Sequence, residues 1–153
     1  SLGGYMVGPY KIVDYVRHTA RECMFAASIP PTQTAVALAA LRYLEAHPEL
    51  PKKLQNNAAR FRKELKARDV QIIEAETPIV PIYTYEAENT LIKQKGMYDE
   101  GVYVNSVLPP ACAPGECLLR TSLMASHTDA LIDEAAEIIA DVMKKDNALI
   151  MAQ

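Results

Sequence analysis

The segment CLLRTSLMASHT, residues 117–128, contains Arg120 within an apolar run that alternates like a β-strand. Side chains two residues apart share a face of a strand, so Arg120 lies on one face with Leu118 and Ser122. The opposite face then carries Cys117, Leu119, Thr121 and Leu123. An arginine in this setting lies either on an ordinary solvated face, as most arginines do, or in a cleft that binds an anion. The alternation alone leaves both alternatives open.

Other residues capable of chemistry give weaker signals. The sequence has no phosphate-binding glycine loop, no H-E-x-x-H and no G-x-S-x-G. His127 precedes a predicted helix, and no neighbouring group would orient it as a base, so we predict a structural role. Cys112 lies in a proline-rich loop without a nearby cation to lower its pKa, which argues against a reactive thiol. We expect packing roles for the four tyrosines of this half: Tyr83, Tyr85, Tyr98 and Tyr103.

Composition excludes several classes of protein. The chain has 153 residues, half of them hydrophobic, and a net charge of −3 without a basic block, which argues against nucleic-acid binding. Its three cysteines lack C-x-x-C spacing and accompany three histidines, so we predict no disulfide framework, no metal site and a reduced, cytoplasmic location. No window reaches the roughly 20 apolar residues of a membrane span. The opening SLGGYMVG has neither an initiator Met nor the pattern of a signal peptide, so we expect a longer protein upstream.

The first half of the sequence predicts mainly helices. Residues 3–8, GGYMVG, form a short apolar run between glycines and predict a strand, and Pro9 suits the start of a helix. Residues 32–47 are so rich in alanine and leucine around the helix circumference that a buried helix is predicted. From Pro48 to Val70, apolar residues recur every three or four positions, as in an amphipathic helix.

The second half changes to the period of strands. Residues 70–73 and 77–85 are predicted to be extended, with Pro78 and Pro81 indicating an edge strand or a bend. Residues 86–95 predict a helix that ends at Gly96, and residues 101–107 and 117–123 predict an antiparallel pair. Thr128 is expected to cap a final helix with a buried face of Leu131, Ala135, Ile138 and Val142. The predicted class is α/β, or more narrowly α+β: a small, mostly antiparallel sheet covered by helices.

A resemblance extends these expectations. The run SLGGYMVG…VDYVRHTARECMFAASIPP resembles the stretch that follows the cofactor lysine in the α-oxoamine synthases, which are pyridoxal-phosphate (PLP) enzymes of fold type I. TPIVPI, EGVYVNSVLPPACAPGECLLRTSLMASHT and the closing helix resemble the C-terminal domain of that family, in the same order. The resemblance covers nearly the whole chain, to about Lys145.

The resemblance implies a function and a set of roles. It implies the C-terminal part of a PLP-dependent acyl-CoA:amino-acid C-acyltransferase, a homodimer whose substrates are an amino acid and an acyl-CoA. The residue that matches Arg120 binds the carboxylate of the amino acid, which a planar guanidinium can hold bidentately. The Schiff-base lysine is expected a few residues before Ser1, so the resemblance implies no catalytic residue within this chain and an inactive fragment.

The chain departs from the family at three further points. Several members carry Ser or Thr where this sequence has Ala26, a hydroxyl that reaches the cofactor phosphate of the partner subunit; here Ser28 or a backbone N–H would take that role. Some members have an arginine where this chain has Leu108, before the Pro-Pro turn. The resemblance therefore leaves open whether a second residue contacts the carboxylate and which substrate is used. Tyr85 and Glu86 replace the usual Gly-Asp, which we interpret as neutral variation.

Two hypotheses follow. In the first, residues 1–47 are a remnant of the large cofactor-binding domain with its connecting helix, they expose apolar surface by themselves, and residues 48–153 are the C-terminal small domain of the enzyme. In the second, the chain is a stand-alone carboxylate-binding or dimerisation module without catalysis. The missing lysine favours the second hypothesis, and the N-terminal sequence favours the first.

Overall fold

The structure is a computed structural model that describes residues 4–151. The chain divides into two compact units, Ser1–Pro48 and Glu49–Gln153, and each is described by itself. In the described part of the chain, no helix combines the length and the apolar character that crossing a membrane requires.

The first unit is helical. Its helices are α1 (Tyr10–Thr19), α2 (Arg21–Phe25) and α3 (Pro31–Ala46). Pro9 begins α1 as predicted, because its carbonyl accepts the amides of Ile12 and Val13 at 2.9 and 3.1 Å. Pro31 occupies the first position of α3, where the missing N–H of proline costs no hydrogen bond.

Two predictions for this unit are wrong. Residues 4–8 form no strand, since the described part of the unit contains no second strand for them to pair with, and Gly3 lies outside the described residues. Helix α3 was expected to be buried, yet none of its residues is, because nothing within the unit packs on its apolar surface. Apolar surface is exposed on this unit, as expected, by Tyr5, Met6, Val7, Tyr10, Ile12, Tyr15, Met24, Phe25, Ile29, Val36, Leu38, Leu41, Tyr43 and Leu44.

The second unit is a small antiparallel sheet covered by helices, which confirms the predicted fold class. Its elements are α4 (Glu49–Ala67), β1 (Ile79–Tyr85), α5 (Ala87–Asp99), β2 (Asn105–Val107), β3 (Cys117–Ser122), α6 (Asp129–Lys144) and α7 (Asn147–Met151). The strand order is β1-β3-β2, so β3 is the central strand and the last of the three in sequence.

The central strand β3 pairs with both neighbours in antiparallel register. Arg120 lies opposite Pro81 of β1 and Asn105 of β2. The predicted pairing of the last two strands is confirmed, but β2 has three residues rather than seven. The segment before it turns toward α5 instead, because the amide of Val102 donates to Met97 O at 2.8 Å and Val104 O accepts from Gln94 at 3.0 Å.

The position of Pro81 at the outer edge of β1 explains why a proline is tolerated in this strand. Pro81 O accepts the amide of Ile73 at 2.9 Å, on the side away from β3, so the missing N–H costs no bond to the central strand. Residues 70–73, predicted to be extended, lie beside β1 but form no regular strand: Ile72 makes an isolated bridge with Ile82. The nearby proline limits this pairing, because it donates nothing to the ladder.

The hydrophobic core fills the space between one face of the sheet and the helices. Thr128 caps α6 as predicted, accepting the amide of Leu131 at 3.3 Å. Of the predicted buried face of this helix, Val142 is buried and Ala135 and Ile138 pack partly buried against the core, but Leu131 is 54% exposed and its neighbour Ile132 is buried instead. Adjacent apolar residues allow two overlapping stripes, and residues of both are buried. The core comprises Phe61, Leu65, Val70, Val80, Ile82, Met97, Val104, Leu119, Ile132, Ala136, Ile139, Ala140, Val142 and Ile150.

Polar contacts join α4 to α6 and to the turn before it. Arg60 donates to both carboxylate oxygens of Asp133, at 2.8 and 2.7 Å, and to Asp129 at 3.1 Å. The hydrogen bond from Arg60 lowers the pKa of Asp133. The buried Asn57 donates to the carbonyls of Met124 and His127 at 2.9 and 3.0 Å, which holds the turn between β3 and α6.

Helix α5 does not end at Gly96 as predicted but continues to Asp99. Gly96 is buried where α5 meets α6 and α7, and a Cβ at this position would lie 3.0 Å from Ile150 Cγ2 and 3.1 Å from Val142 Cγ1. Glycine is present here because of the close approach of neighbouring side chains rather than as a helix terminator.

Lys93 is the only lysine in residues 4–151 that is buried. Its ammonium group donates to the carbonyl of Val142 at 3.0 Å and to that of Lys145, so it satisfies carbonyls at the C-terminal end of α6. Burial lowers the pKa of Lys93, while the charge of Asp146 acts in the opposite direction.

We predict that Lys93→Met destabilises the chain by about 1–3 kcal/mol, because two carbonyls lose their donor. Denaturant unfolding followed by circular dichroism measures the change. Lys95→Met is the matched control: this lysine is exposed on the same helix, pairs only with Asp99, and should cost less than about 0.5 kcal/mol. Equal stability of Lys93→Met and the wild type would refute the capping role.

A second prediction concerns Gly96→Ala. Alanine gains about 1 kcal/mol of helix propensity, but overpacking against Ile150 and Val142 costs about 1–3 kcal/mol. We expect a net loss of stability, measured by the same unfolding experiment. In a double-mutant cycle with Ile150→Ala the cost of Gly96→Ala should shrink, and full additivity of the two changes would contradict the proposed contact.

Candidate carboxylate-binding face

Arg120 lies on the face of the sheet that does not contribute to the hydrophobic core, called the open face below. The alternation predicted for β3 is confirmed: Cys117, Leu119 and Thr121 are buried, and Arg120 and Ser122 are exposed. Thr121 satisfies its buried hydroxyl by donating to Val80 O at 2.7 Å. Within residues 4–151, the guanidinium of Arg120 forms no hydrogen bond and no ion pair.

The residues beside Arg120 in the sheet carry no negative charge. Its cross-strand neighbours are Pro81 and Asn105, and its neighbours two positions away on β3 are Leu118 and Ser122. An exposed guanidinium without a carboxylate beside it is free to bind an anion from solution, and its planar donors match a carboxylate in a bidentate way. This face can therefore bind an anion, and a carboxylate is one anion that suits it.

Asn105 also lies on this face, although the residue pattern alone did not single it out. The antiparallel pairing was predicted, but the register that brings Asn105 opposite Arg120 was not. The sequence did contain a signal for this pairing. Both strands alternate between polar and apolar residues, and this alternation restricts the register in which they can pair. A register that aligns the polar faces places Asn105 on the same face as the polar residues of β3.

The end of β1 is irregular. The pairing with β3 shifts between Tyr83 and Tyr85, and Tyr85 has a φ of 65°, in the left-handed region that a tyrosine rarely adopts. The two rings stack with centroids 5.3 Å apart, and the Tyr85 hydroxyl donates to Gln71. The expected packing role fits the half-buried Tyr83, whereas it is wrong for Tyr85, Tyr98 and Tyr103, which are 48%, 67% and 72% exposed.

The remaining candidates have structural positions. His127 Nδ1 accepts the amide of Met124 at 3.3 Å, in agreement with its predicted structural role. The Cys112 thiol donates to Val107 O at 3.5 Å, and burial together with the neighbouring Cys117 raises its pKa, which disfavours the reactive thiolate. Leu108 follows β2 and is partly buried. The described residues contain no group of three or more His, Cys, Asp and Glu side chains that could hold a metal ion.

Ala26 and Ser28 lie in the extended segment between α2 and α3, in the first unit, and both are exposed. The Ser28 hydroxyl and the backbone amides of this segment are the kinds of donor that a phosphate accepts. These residues therefore fit one side of a phosphate site, but not a complete one, because the segment supplies no cation.

No described lysine has the surroundings of a cofactor-binding amine. The buried Lys93 already donates to two backbone carbonyls, and the other lysines are exposed or, in the case of Lys145, paired with Glu100 at 2.9 Å.

Comparison with known proteins gives consistent matches. A serine palmitoyltransferase of Bacteroides ovatus is 38% identical over 144 residues, which are 94% of this chain and 36% of that protein. An 8-amino-7-oxononanoate synthase of Bacillus velezensis is 35% identical over 94% of this chain and 37% of its own length. The chain thus spans somewhat more than a third of the curated relatives that it matches.

Solved structures agree with the sequence relatives. A serine palmitoyltransferase with PLP superimposes with a TM-score of 0.74 at 30% identity, over 87% of this chain and 34% of that one. The Sphingomonas wittichii serine palmitoyltransferase gives a TM-score of 0.73 at 25% identity, over the same shares. The family model for aminotransferase class I and II matches residues 1–139. The chain therefore belongs to the class I and II aminotransferase family.

Proposed function

We propose that this chain is the C-terminal part of a PLP-dependent acyl-CoA:amino-acid C-acyltransferase, in which Arg120 binds the carboxylate of the amino-acid substrate. The observation that carries the proposal is the exposed guanidinium of Arg120, which has no partner among the described residues and no acidic neighbour on the open face. The family and the similarity to serine palmitoyltransferases and 8-amino-7-oxononanoate synthases support this reaction class.

The proposed reaction joins the Cα atom of an amino acid to the acyl carbon of an acyl-CoA thioester. Free CoA thiol leaves, and the carboxyl group of the amino acid leaves as carbon dioxide. When bound, PLP supplies the electron sink that such a carbon–carbon bond formation needs. The contribution of this chain is to bind and orient the amino acid, because a guanidinium that holds both carboxylate oxygens also fixes the direction of the bonds at Cα.

The cofactor and the dimer involve the first unit. We propose that Ser28, with the backbone at Ala26, contacts the phosphate of PLP held by the partner subunit of a homodimer. The many exposed apolar side chains of α1 and α3 support the idea that residues 1–47 belong to a larger cofactor-binding domain, whereas residues 48–153 are the small domain. The three free cysteines, Cys23, Cys112 and Cys117, support a reducing, cytoplasmic location.

A second candidate is a carboxylate-binding or dimerisation module without catalysis. It is favoured by one observation, that no described lysine is suited to hold PLP, and the exposed apolar surface of the first unit would then be a dimer contact. The coding sequence upstream of Ser1 separates the candidates: a lysine a few residues before Ser1, preceded by a large α/β domain, supports the enzyme, and a start codon without such a domain supports the module.

We expect that the 153-residue chain does not bind PLP covalently at a unique lysine, because the required lysine lies upstream. The test is incubation with PLP, reduction with borohydride and peptide mapping. The expected result is weak labelling distributed over exposed lysines. A single lysine labelled stoichiometrically would contradict the proposed arrangement.

In the longer enzyme loaded with PLP, Arg120→Ala should weaken amino-acid binding by about 2–5 kcal/mol, or roughly 30-fold to several thousand-fold, because the carboxylate loses its charged partner. Arg120→Lys should retain part of the affinity, since the charge remains but the planar fork is lost. Spectroscopic titration with serine, alanine and glycine measures the affinity of each variant.

Cofactor content is the internal control of this experiment. Arg120 is assigned to the amino acid and not to the phosphate of PLP, so both variants should retain the cofactor. Unchanged amino-acid affinity in Arg120→Ala would return Arg120 to the role of an ordinary surface charge.

A further inference from the structure

Asn105 is the polar residue nearest to Arg120 across the sheet. The register of β2 with β3 makes the two residues direct partners, so their Cβ atoms lie about 4.5–5.5 Å apart on the open face. On the other side of Arg120 stands Pro81, whose ring offers neither a donor nor an acceptor. Across the strands, polar recognition beside the guanidinium can therefore come only from the side of β2.

The side chain of Asn105 has one hydrogen-bond partner among the described residues. Its amide nitrogen donates to the hydroxyl oxygen of Tyr103 at 3.3 Å, and Asn105 is partly buried, whereas Tyr103 is exposed. A primary amide has two N–H donors, and this contact uses one of them. No other hydrogen bond joins the side chain of Asn105 to residues 4–151, so its second N–H remains available.

A bound carboxylate has room for both residues. Each of its two oxygens has two lone pairs, and a bidentate guanidinium occupies one lone pair on each oxygen. A donor on one flank of the guanidinium can then bind a remaining lone pair without displacing Arg120. The short strand β2 holds such a donor on that flank.

We propose that Asn105 donates a hydrogen bond to the carboxylate bound by Arg120, so that the two residues form one carboxylate site across β2 and β3. This inference rests on the proposed function for the identity of the ligand, an amino acid. Asn105 thereby positions the carboxylate relative to the sheet, and the guanidinium supplies most of the attraction.

The test uses the longer enzyme loaded with PLP and compares L-serine with L-serinamide, which lacks the carboxylate charge. Asn105→Ala should weaken L-serine binding roughly 10- to 150-fold, the range for a hydrogen bond to a charged group, and leave L-serinamide binding nearly unchanged. Asn105→Asp should weaken L-serine binding further, because an aspartate opposite Arg120 forms an ion pair with the guanidinium and repels the ligand. Dissociation constants come from spectroscopic titration.

Two matched variants control for general effects. Ser106→Ala changes the next residue of β2, which pairs with Leu119 on the opposite face, and should leave the preference for L-serine over L-serinamide unaltered. Asn56→Asp makes the same charge change on the exposed side of α4 and should also have no effect. A loss in either variant equal to that of the Asn105 variants would overturn the inference.

The outcomes separate this inference from the proposed function. If Arg120→Ala leaves L-serine affinity unchanged, the proposed function itself fails. If Arg120→Ala weakens L-serine binding and both Asn105 variants bind it like the wild type, only the role of Asn105 is refuted. Equal losses for L-serine and L-serinamide in Asn105→Ala would assign Asn105 a purely structural role and likewise refute it.

Discussion

The central position of β3 determines the rest of the second unit. Because β3 pairs with β1 on one edge and β2 on the other, its residues can point only to two faces, and the alternation of its sequence decides which face becomes the core. Leu119 and Thr121 point to the helices, and Arg120 between them must point away. A shift of register by one residue would bury a charge, so the same constraint fixes the hydrophobic core and the exposed position of Arg120.

Close contacts at a few positions join the helices that cover the sheet. Helix α6 is joined to α4 by Arg60 and Asp133, and to α5 by Lys93, which satisfies carbonyls at its C-terminal end. Gly96 allows α6 and α7 to approach α5 closely. These contacts join the helices into one layer behind β3, and a supported layer favours a well-defined position for Arg120 on the opposite face.

The sequence predicts features that depend on local patterns. The alternation of β3, the cap at Thr128 and the edge character of Pro81 follow from residue types at fixed spacings, and all three agree with the structure. Features that depend on packing were predicted less well. Gly96 was interpreted as a helix end because glycine usually terminates helices, whereas its cause is a contact with Ile150, 54 positions away in sequence. The prediction that α3 is buried was wrong for the same reason. An apolar circumference shows that a helix needs packing partners, but it does not show that those partners are present. For Arg120, the face was predictable from the alternation, but its pairing with Asn105 needed the register of two strands.

Strand β1 forms one edge of the sheet, and the contacts along that edge affect self-association. An edge strand with free amides and carbonyls can recruit a strand from another molecule and so begin aggregation. Along β1 that edge is occupied, since Ile73 donates to Pro81 and Tyr83 donates to Gln71 at 3.0 Å, and Pro81 itself has no amide to offer. The opposite edge belongs to β2, which has three residues and is too short to hold a foreign strand firmly. The sheet of the second unit therefore resists fibril growth through its edges.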